Sequence, residues 1–385
     1  MKILCLCSAL DLRFRYGCTP AWWQFFKGLY ELGHDVIAVP YQGDAIESPW
    51  WRVYSNPCRY ESQAYGIAKK WLGGGSTSLS DGPVASISKT LIESWVQPRW
   101  ESALRGMLAQ EKDVDAILVL GIPVNHFSGL PDRIRGSFSI PIIYYDGDVP
   151  ASLPRFGGFA SGFKIYEGAS LAEYDAVVCN STGGVDDLRG LGARRVETIH
   201  WGVDPALYAP LDCESQWDVF FYGYGAEYRE SWMRSMLTGP SRALVDTKFA
   251  VGGQGFSMDL GKSELLGDIP FSVFRQRCCQ SRINLNITRD AHASVFASSS
   301  MRPFELAAMG CCIVSNPVEG MDTWFREGEE LITVNSEADV IDVYKRLLGD
   351  EGARREMGAR ARARVLAEHT HIHRAGQLAD FLSGL

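Results

Sequence analysis

Residues 194–225 read RRVETIHWGVDPALYAPLDCESQWDVFFYGYG, two strand-like runs with a break between them. The first run, RRVETIH, passes into WGVDPALYAP, where Pro205 and Pro210 end regular structure. The second, WDVFFYGYG, restarts an alternation of short apolar runs and helix-period stretches, as though a new sheet began. A domain boundary is therefore predicted near residue 205. The length of 385 residues agrees, because domains average roughly 150 residues.

Outward from the break, strands are predicted at 2–7, 35–40, 115–120, 141–145, 175–180 and 195–199 before it. After it they are predicted at 217–222, 247–251, 282–287, 311–315 and 331–334. Most are apolar at both odd and even positions, as parallel strands covered on both faces must be. Helical patterns fill the gaps, for example 21–32, 88–110, 337–348 and 353–368. The fold class is thus α/β, with two Rossmann-like doubly wound parallel sheets. The domains are read as 1–205 and 206–365, with 366–385 a closing helix that packs back on the first. The Gly- and Ser-rich stretch at 73–80 is read as a mobile loop.

Composition narrows the function. Thirty-eight Lys and Arg against 46 Asp and Glu leave a net charge of -8, which argues against a nucleic-acid partner. No run reaches the 18 apolar residues of a membrane span, and the opening MKILCLC is too short for a signal sequence. The ten cysteines lack a framework spacing, and Cys278-Cys279 and Cys311-Cys312 fall in apolar segments, so reduced thiols and a cytoplasmic protein are expected.

Ligands of doubly wound sheets bind at the carboxyl ends of strands, and several such loops carry unusual residues. In FYGYGAEYRE, Gly223 and Gly225 allow close approach of a ligand, and Arg229 enters at a helix start. Guanidinium and helix N-terminus together suit a diphosphate, although Gly-x-Gly lacks the third glycine of the dinucleotide fingerprint and a plain turn remains the alternative. In NLNITRDAHASVFASSSMRPFE a strand ends near Asn286, and a Ser-rich loop containing His292 leads into a helix. The amides of Ser299, Ser300 and Met301, with Arg302, would face an anion there. Glu305 would accept ribose hydroxyls, or merely complement the helix dipole. In YYDGDVP, Asp148 is read as an acceptor contact or general base, and Asp146 with Asp148 as a turn rather than a metal pair. His126 and His200 each end a strand-like run, and His126 is a second candidate base. His369, His371 and His373 alternate but are read as solvated or helix-capping, and no metal site is expected. Seven of the eleven tryptophans, at 22, 23, 50, 51, 71, 95 and 100, fall in the first hundred residues. They are read mainly as core, with one ring of a doublet such as Trp22-Trp23 exposed.

These residues also carry a family likeness. The stretch SSSMRPFELAAMGCCIVSNPVEGMDTWFREGEELITVNSEADVIDVYKRLL resembles the C-terminal domain of retaining-type GT-B glycosyltransferases. The CgeB-like branch, named for spore-maturation proteins, is the most similar. Its pattern is met by Arg302, Phe304, Glu305, Gly310, Gly320, Phe325, Gly328 and Glu329. DAVVCNSTGGVDDLRGLGARRVETIHWGVDPALYAP resembles the family's entry to its interdomain linker, and the likeness extends over about 175–380.

The resemblance implies a GT-B fold, two facing domains with a cleft between them that closes about the 202–210 hinge. It implies transfer of a sugar from a nucleoside diphosphate sugar, the donor substrate, to an acceptor on the first domain, by a retaining, metal-independent enzyme without a separate cofactor. Glu305 corresponds to the ribose-binding glutamate and Arg229 to the residue that pairs with the diphosphate. Arg302 would stabilise the departing charge. Where many relatives carry a further glutamate contacting the sugar, this chain has Ala297. The residues themselves leave inversion open, with Asp148 or His126 as base. A nucleotide-sugar epimerase, or a non-catalytic sugar-nucleotide-binding or assembly protein, is the alternative. A dehydrogenase lacks support, because SALDLRFRYG has no glycine fingerprint.

Overall fold

The computed structural model describes residues 1–10, 21–60, 92–157, 159–160, 163–225 and 229–385. Trp71, the 73–80 loop, the opening of the 88–110 helix, most of the SALDLRFRYG turn and residues 226–228 of the Gly-rich turn lie outside the described residues. The chain divides into two compact units, one from 1–12, 25–199 and 375–385, the other from 13–24 and 200–374.

The first unit is built on a seven-stranded sheet. Its strands are β1 (Lys2–Ala9), β2 (Asp35–Gln42), β3 (Arg52–Val53), β4 (Ala116–Leu120), β5 (Ile142–Asp146), β8 (Ala176–Cys179) and β9 (Val196–Thr198). They lie in the order β3-β2-β1-β4-β5-β8-β9, every ladder parallel. Between β5 and β8, β6 (Phe159–Ala160) and β7 (Phe163–Lys164) form a small antiparallel pair. All five residues of β4 and of β5 are buried, as the two-sided apolar pattern requires.

The second unit holds six parallel strands, β10 (Trp217–Tyr224), β11 (Phe249–Gln254), β12 (Glu264–Gly267), β13 (Ser281–Asn286), β14 (Ile313–Ser315) and β15 (Ile332–Thr333). Their order is β12-β11-β10-β13-β14-β15, the doubly wound arrangement. Strand β10 serves two cores. Phe220 and Tyr222 of β10 pack with Phe304 and Leu306 of helix Met301–Ala308 on one side. Val219 and Phe221 pack with Val340, Tyr344 and Leu347 of helix Glu337–Gly349 on the other.

The two Rossmann-like sheets agree with the sequence reading, and each predicted strand overlaps one in the structure. Two were not anticipated, for a physical reason: β3 is an edge strand of two residues, and β12 has no buried residue and so no apolar run. The short β6–β7 pair likewise carries no strand-length pattern.

Candidate functional site

The strand order of the second unit reverses between β10 and β13, which places a ligand crevice at the carboxyl ends of those strands. Gly223 and Gly225 lie there, and close packing accounts for both. A Cβ on Gly225 would come within 2.3 Å of the Phe256 ring, and one on Gly223 within 2.7 Å of the Phe221 ring. Arg229 precedes the short helix Glu230–Met233. Its Nη1 donates to the Tyr224 carbonyl and its Nε to the Ile287 carbonyl, each at 2.9 Å. One guanidinium therefore spans the ends of both strands flanking the reversal, in the position the sequence assigned to diphosphate binding.

Asn286 and His292 face inward. The Asn286 amide donates to Ser315 Oγ (2.9 Å) and Thr288 Oγ1 (3.2 Å), which ties the end of β13 to that of β14. His292 is buried, with Nε2 3.3 Å from an Arg289 Nη2. Burial, and then the charges of Arg289 and Arg229, push its pKa well down, so the ring is neutral.

The Ser-rich loop is held from several directions. Ala297 is buried with φ of 47°, a left-handed conformation uncommon for a residue with a side chain, and its amide donates to the Glu319 carbonyl at 2.8 Å. Ser298 Oγ donates to the Val295 carbonyl, and Ser299 Oγ accepts from the Trp201 amide at 2.9 Å. Ser300 is the N-cap of helix Met301–Ala308, in extended backbone and without a side-chain cap. Helices Glu337–Gly349 and Glu351–Glu368 are capped by the side chains of Ser336 and Asp350. The uncapped start at Met301 thus keeps first-turn amides, including that of Arg302, without intrahelical acceptors.

Behind that start sits Glu305, fully buried. Arg302 Nη1 donates to its Oε2 at 2.8 Å, and Tyr208 Oη donates to its Oε1 at 3.1 Å. The Arg302 guanidinium carbon lies 4.3 Å from the Phe274 ring centroid and 5.1 Å from that of Tyr222, so the cation rests on both of these adjoining rings. Tyr208, Tyr222 and Phe274 went unnoticed in the sequence, where nothing distinguishes them from other core aromatics.

In the first unit, Asp146 and Asp148 differ sharply. Asp146, at the end of β5, is buried and accepts from the Asp148 amide (2.9 Å), Ser152 Oγ (2.5 Å) and Tyr166 Oη (2.5 Å). Burial outweighs these bonds and lifts its pKa to about 6. Asp148 is half-buried on the loop that Asp146 anchors. Sequence reading gave the larger chemical role to Asp148, and its only signal for Asp146 was the Asp-Gly-Asp turn. His126 is buried, its Nδ1 2.7 Å from Tyr41 Oη, and burial lowers its pKa to about 4, so it is neutral and weakly basic. A hollow of about 500 Å³ lined by Pro154, Arg155, Asp186 and Asp187 holds none of the candidates and is crossed by a bidentate Arg155–Asp187 ion pair.

The histidine tract meets expectation in part. His369 is the C-cap residue of helix Glu351–Glu368, but it and His371 are buried rather than solvated. His369 shares its Nδ1 with Arg374 Nη2 at 2.6 Å and its Nε2 with the Trp324 carbonyl at 3.2 Å, because the chain turns inward after helix Glu351–Glu368. Among the described residues no group of His, Cys, Asp or Glu side chains has the arrangement to hold a metal ion. Trp22 and Trp23 are both half-buried, so neither ring of that doublet is fully in the core or fully exposed. Trp100 and Trp51 are buried, and Trp95 is 56% exposed.

Residues 229–380 match a family described as glycosyl transferase-like. No curated protein matches the chain in sequence. Among solved structures, sucrose-phosphate synthase from Thermosynechococcus elongatus aligns at 14% identity and a TM-score of 0.65, over 100% of this chain and 98% of that one. A glycosyltransferase from Rickettsia africae aligns at 10% identity and a TM-score of 0.61, over 100% of this chain and 98% of that one. Anabaena HepE in complex with UDP-glucose aligns at 11% identity and a TM-score of 0.59, over 100% of both. Among the described residues no helix is long and apolar enough to cross a membrane. The chain has the GT-B fold, and the stretch similar to the glycosyl transferase-like family lies mainly in its second unit.

Proposed function

We propose that this protein transfers a glycosyl group from a nucleoside diphosphate sugar, bound by the second unit, to an acceptor bound by the first. The observations that carry the reading are the Arg229 guanidinium spanning the carboxyl ends of β10 and β13 and, in the same unit, the uncapped helix start at Met301. Fixed cationic and N–H groups at such a position favour a diphosphate, and favour it more as it departs with the bonding electrons. In the reaction the bond from the anomeric carbon to the phosphate oxygen breaks and a bond to the acceptor oxygen forms. The acceptor proton passes to the leaving phosphate if configuration is retained. Retention is the favoured course, since His126 is a weak base and Asp148 then serves as an acceptor contact. Arg229, Arg302 and the helix start supply the positive field that a divalent metal would otherwise supply, so the reaction is read as metal-independent and without a further cofactor. The Arg302, Phe304, Glu305 pattern favours kinship with the CgeB-like branch. The unpaired state of the described cysteines suits a cytoplasmic protein.

Thermal unfolding with UDP, GDP, TDP and their common sugars tests this. UDP comes first because the HepE relative was solved with UDP-glucose. A ligand at about one hundred times its dissociation constant adds about 2.7 kcal/mol. That rise should vanish in Arg229→Ala. No stabilisation by any nucleotide would refute the reading.

A further inference from the structure

We propose that Cys279 and Cys311 form a redox modification site, which a low-molecular-weight disulfide such as oxidised glutathione converts reversibly to an intramolecular disulfide. The doublets Cys278-Cys279 and Cys311-Cys312 meet at the amino ends of the neighbouring strands β13 and β14, the opposite end of the sheet from the donor-site loops. Cys279 ends helix Phe271–Cys279, and Cys311 lies two residues before β14. Asn284 clamps both doublets. Its backbone amide donates to the Cys312 carbonyl at 2.9 Å, and its Nδ2 donates to the Cys278 carbonyl at 3.1 Å. Held in this way, the Cys279 and Cys311 thiols hydrogen-bond to each other, and both pack in one hydrophobic core. Cys213, the third thiol near Cys279, donates instead to the Leu211 carbonyl.

The surroundings divide the chemistry between the two sulfurs. Cys279 is half-buried and open to a reagent, whereas Cys311 is buried. The hydrogen bond from Cys311 lowers the Cys279 pKa to about 7 against the opposing effect of burial, helped by the Leu211 amide and the Arg275 charge. The same hydrogen bond, with burial, pushes Cys311 well up, so it keeps its proton. The Cys279 thiolate therefore attacks first and bonds to one glutathione sulfur as the oxidant's S–S bond breaks. The departing glutathione thiolate takes up from solvent the proton that Cys279 had lost. Cys311 Sγ then attacks Cys279 Sγ, the mixed disulfide breaks, and the second glutathione leaves with the Cys311 proton. Two protein thiols are oxidised and one glutathione disulfide is reduced to two thiols. The new bond closes a loop over residues 280–310, which hold β13, the Ser-rich loop and helix Met301–Ala308, so it staples the segment that carries Arg302 and Glu305.

The test is incubation of the full chain with oxidised glutathione near neutral pH, an acid quench, and peptide mass spectrometry after digestion without reductant. The native chain should lose two hydrogens and yield peptides joined through Cys279 and Cys311, with fragmentation assigning the sulfurs. Its melting temperature should rise, and dithiothreitol should reverse both changes. In Cys311→Ala the mixed disulfide should stay trapped on Cys279. In Cys279→Ala the oxidation of Cys311 should slow about tenfold or more. A native chain that ends with glutathione held on Cys279, that joins Cys279 to Cys213 or Cys278, or that remains reduced would overturn the inference, and these readings need no variant. A fall in melting temperature on oxidation would overturn the staple.

Discussion

Replacing Asp146 with asparagine should remove a defined part of the pH dependence of stability. The carboxyl pKa is raised from 3.8 to about 6 in the folded chain, because burial outweighs the bonds from Ser152, Tyr166 and the Asp148 amide. A raised carboxyl means that the folded state holds the proton more tightly than the unfolded one. Its contribution is therefore complete below about pH 4 and is lost as the pH rises through about 6. Two pKa units correspond to about 3 kcal/mol in full, and about 2 kcal/mol of that falls between pH 4.5 and 7.5. Urea unfolding followed by tryptophan fluorescence at several pH values reads the difference directly. The native chain should lose about 2 kcal/mol more than Asp146→Asn across that window, whatever the absolute cost of the substitution. Parallel pH profiles, or a native chain that gains stability relative to the variant, would refute the burial account. The carboxylate would then be ionised and stabilised by its three donors.

Gly225→Ala should cost about 1–3 kcal/mol, read as a fall in melting temperature, since the new Cβ would lie 2.3 Å from the Phe256 ring. Phe304→Ala should cost about 3–5 kcal/mol in the same measurement, because its fully buried ring packs against Trp324, Phe325 and His369. Cys279 should be alkylated well before Cys179 and Cys312 at neutral pH, as peptide mass spectrometry would show. Hydrogen bonding with Cys311 lowers its pKa to about 7, whereas burial lifts those of Cys179 and Cys312 to about 12.

The legible parts of this protein are those whose signal is local. A parallel strand buried on both faces is mostly apolar at odd and even positions alike, so β4, residues 142–145 of β5 and residues 219–222 of β10 announce themselves as apolar runs. The same rule hides β12, which sits at a sheet edge with its residues exposed or half-exposed. Arg302 and Glu305 stand out because they are three residues apart at a helix start. Their partners do not. Tyr208 meets Glu305 across 97 residues and Phe274 reaches Arg302 from another helix, and neither is marked by its neighbours in the chain.

By itself the amino-acid order determined the α/β class, and it pointed to a break near residue 205 and to loops where chemistry is expected. Hydrophobic periodicity and proline act over a few residues, and the chain displays both directly. Only the tertiary structure decided how its charges and imidazoles are held. Asp146, not Asp148, is the buried carboxyl, and its pKa is raised because burial outweighs the bonds it accepts from Ser152, Tyr166 and the Asp148 amide. His369 and His371 are buried because of where the chain goes after Glu368. The charge state of a side chain depends on the solvent and dipoles around it, and folding brings those from distant parts of the sequence.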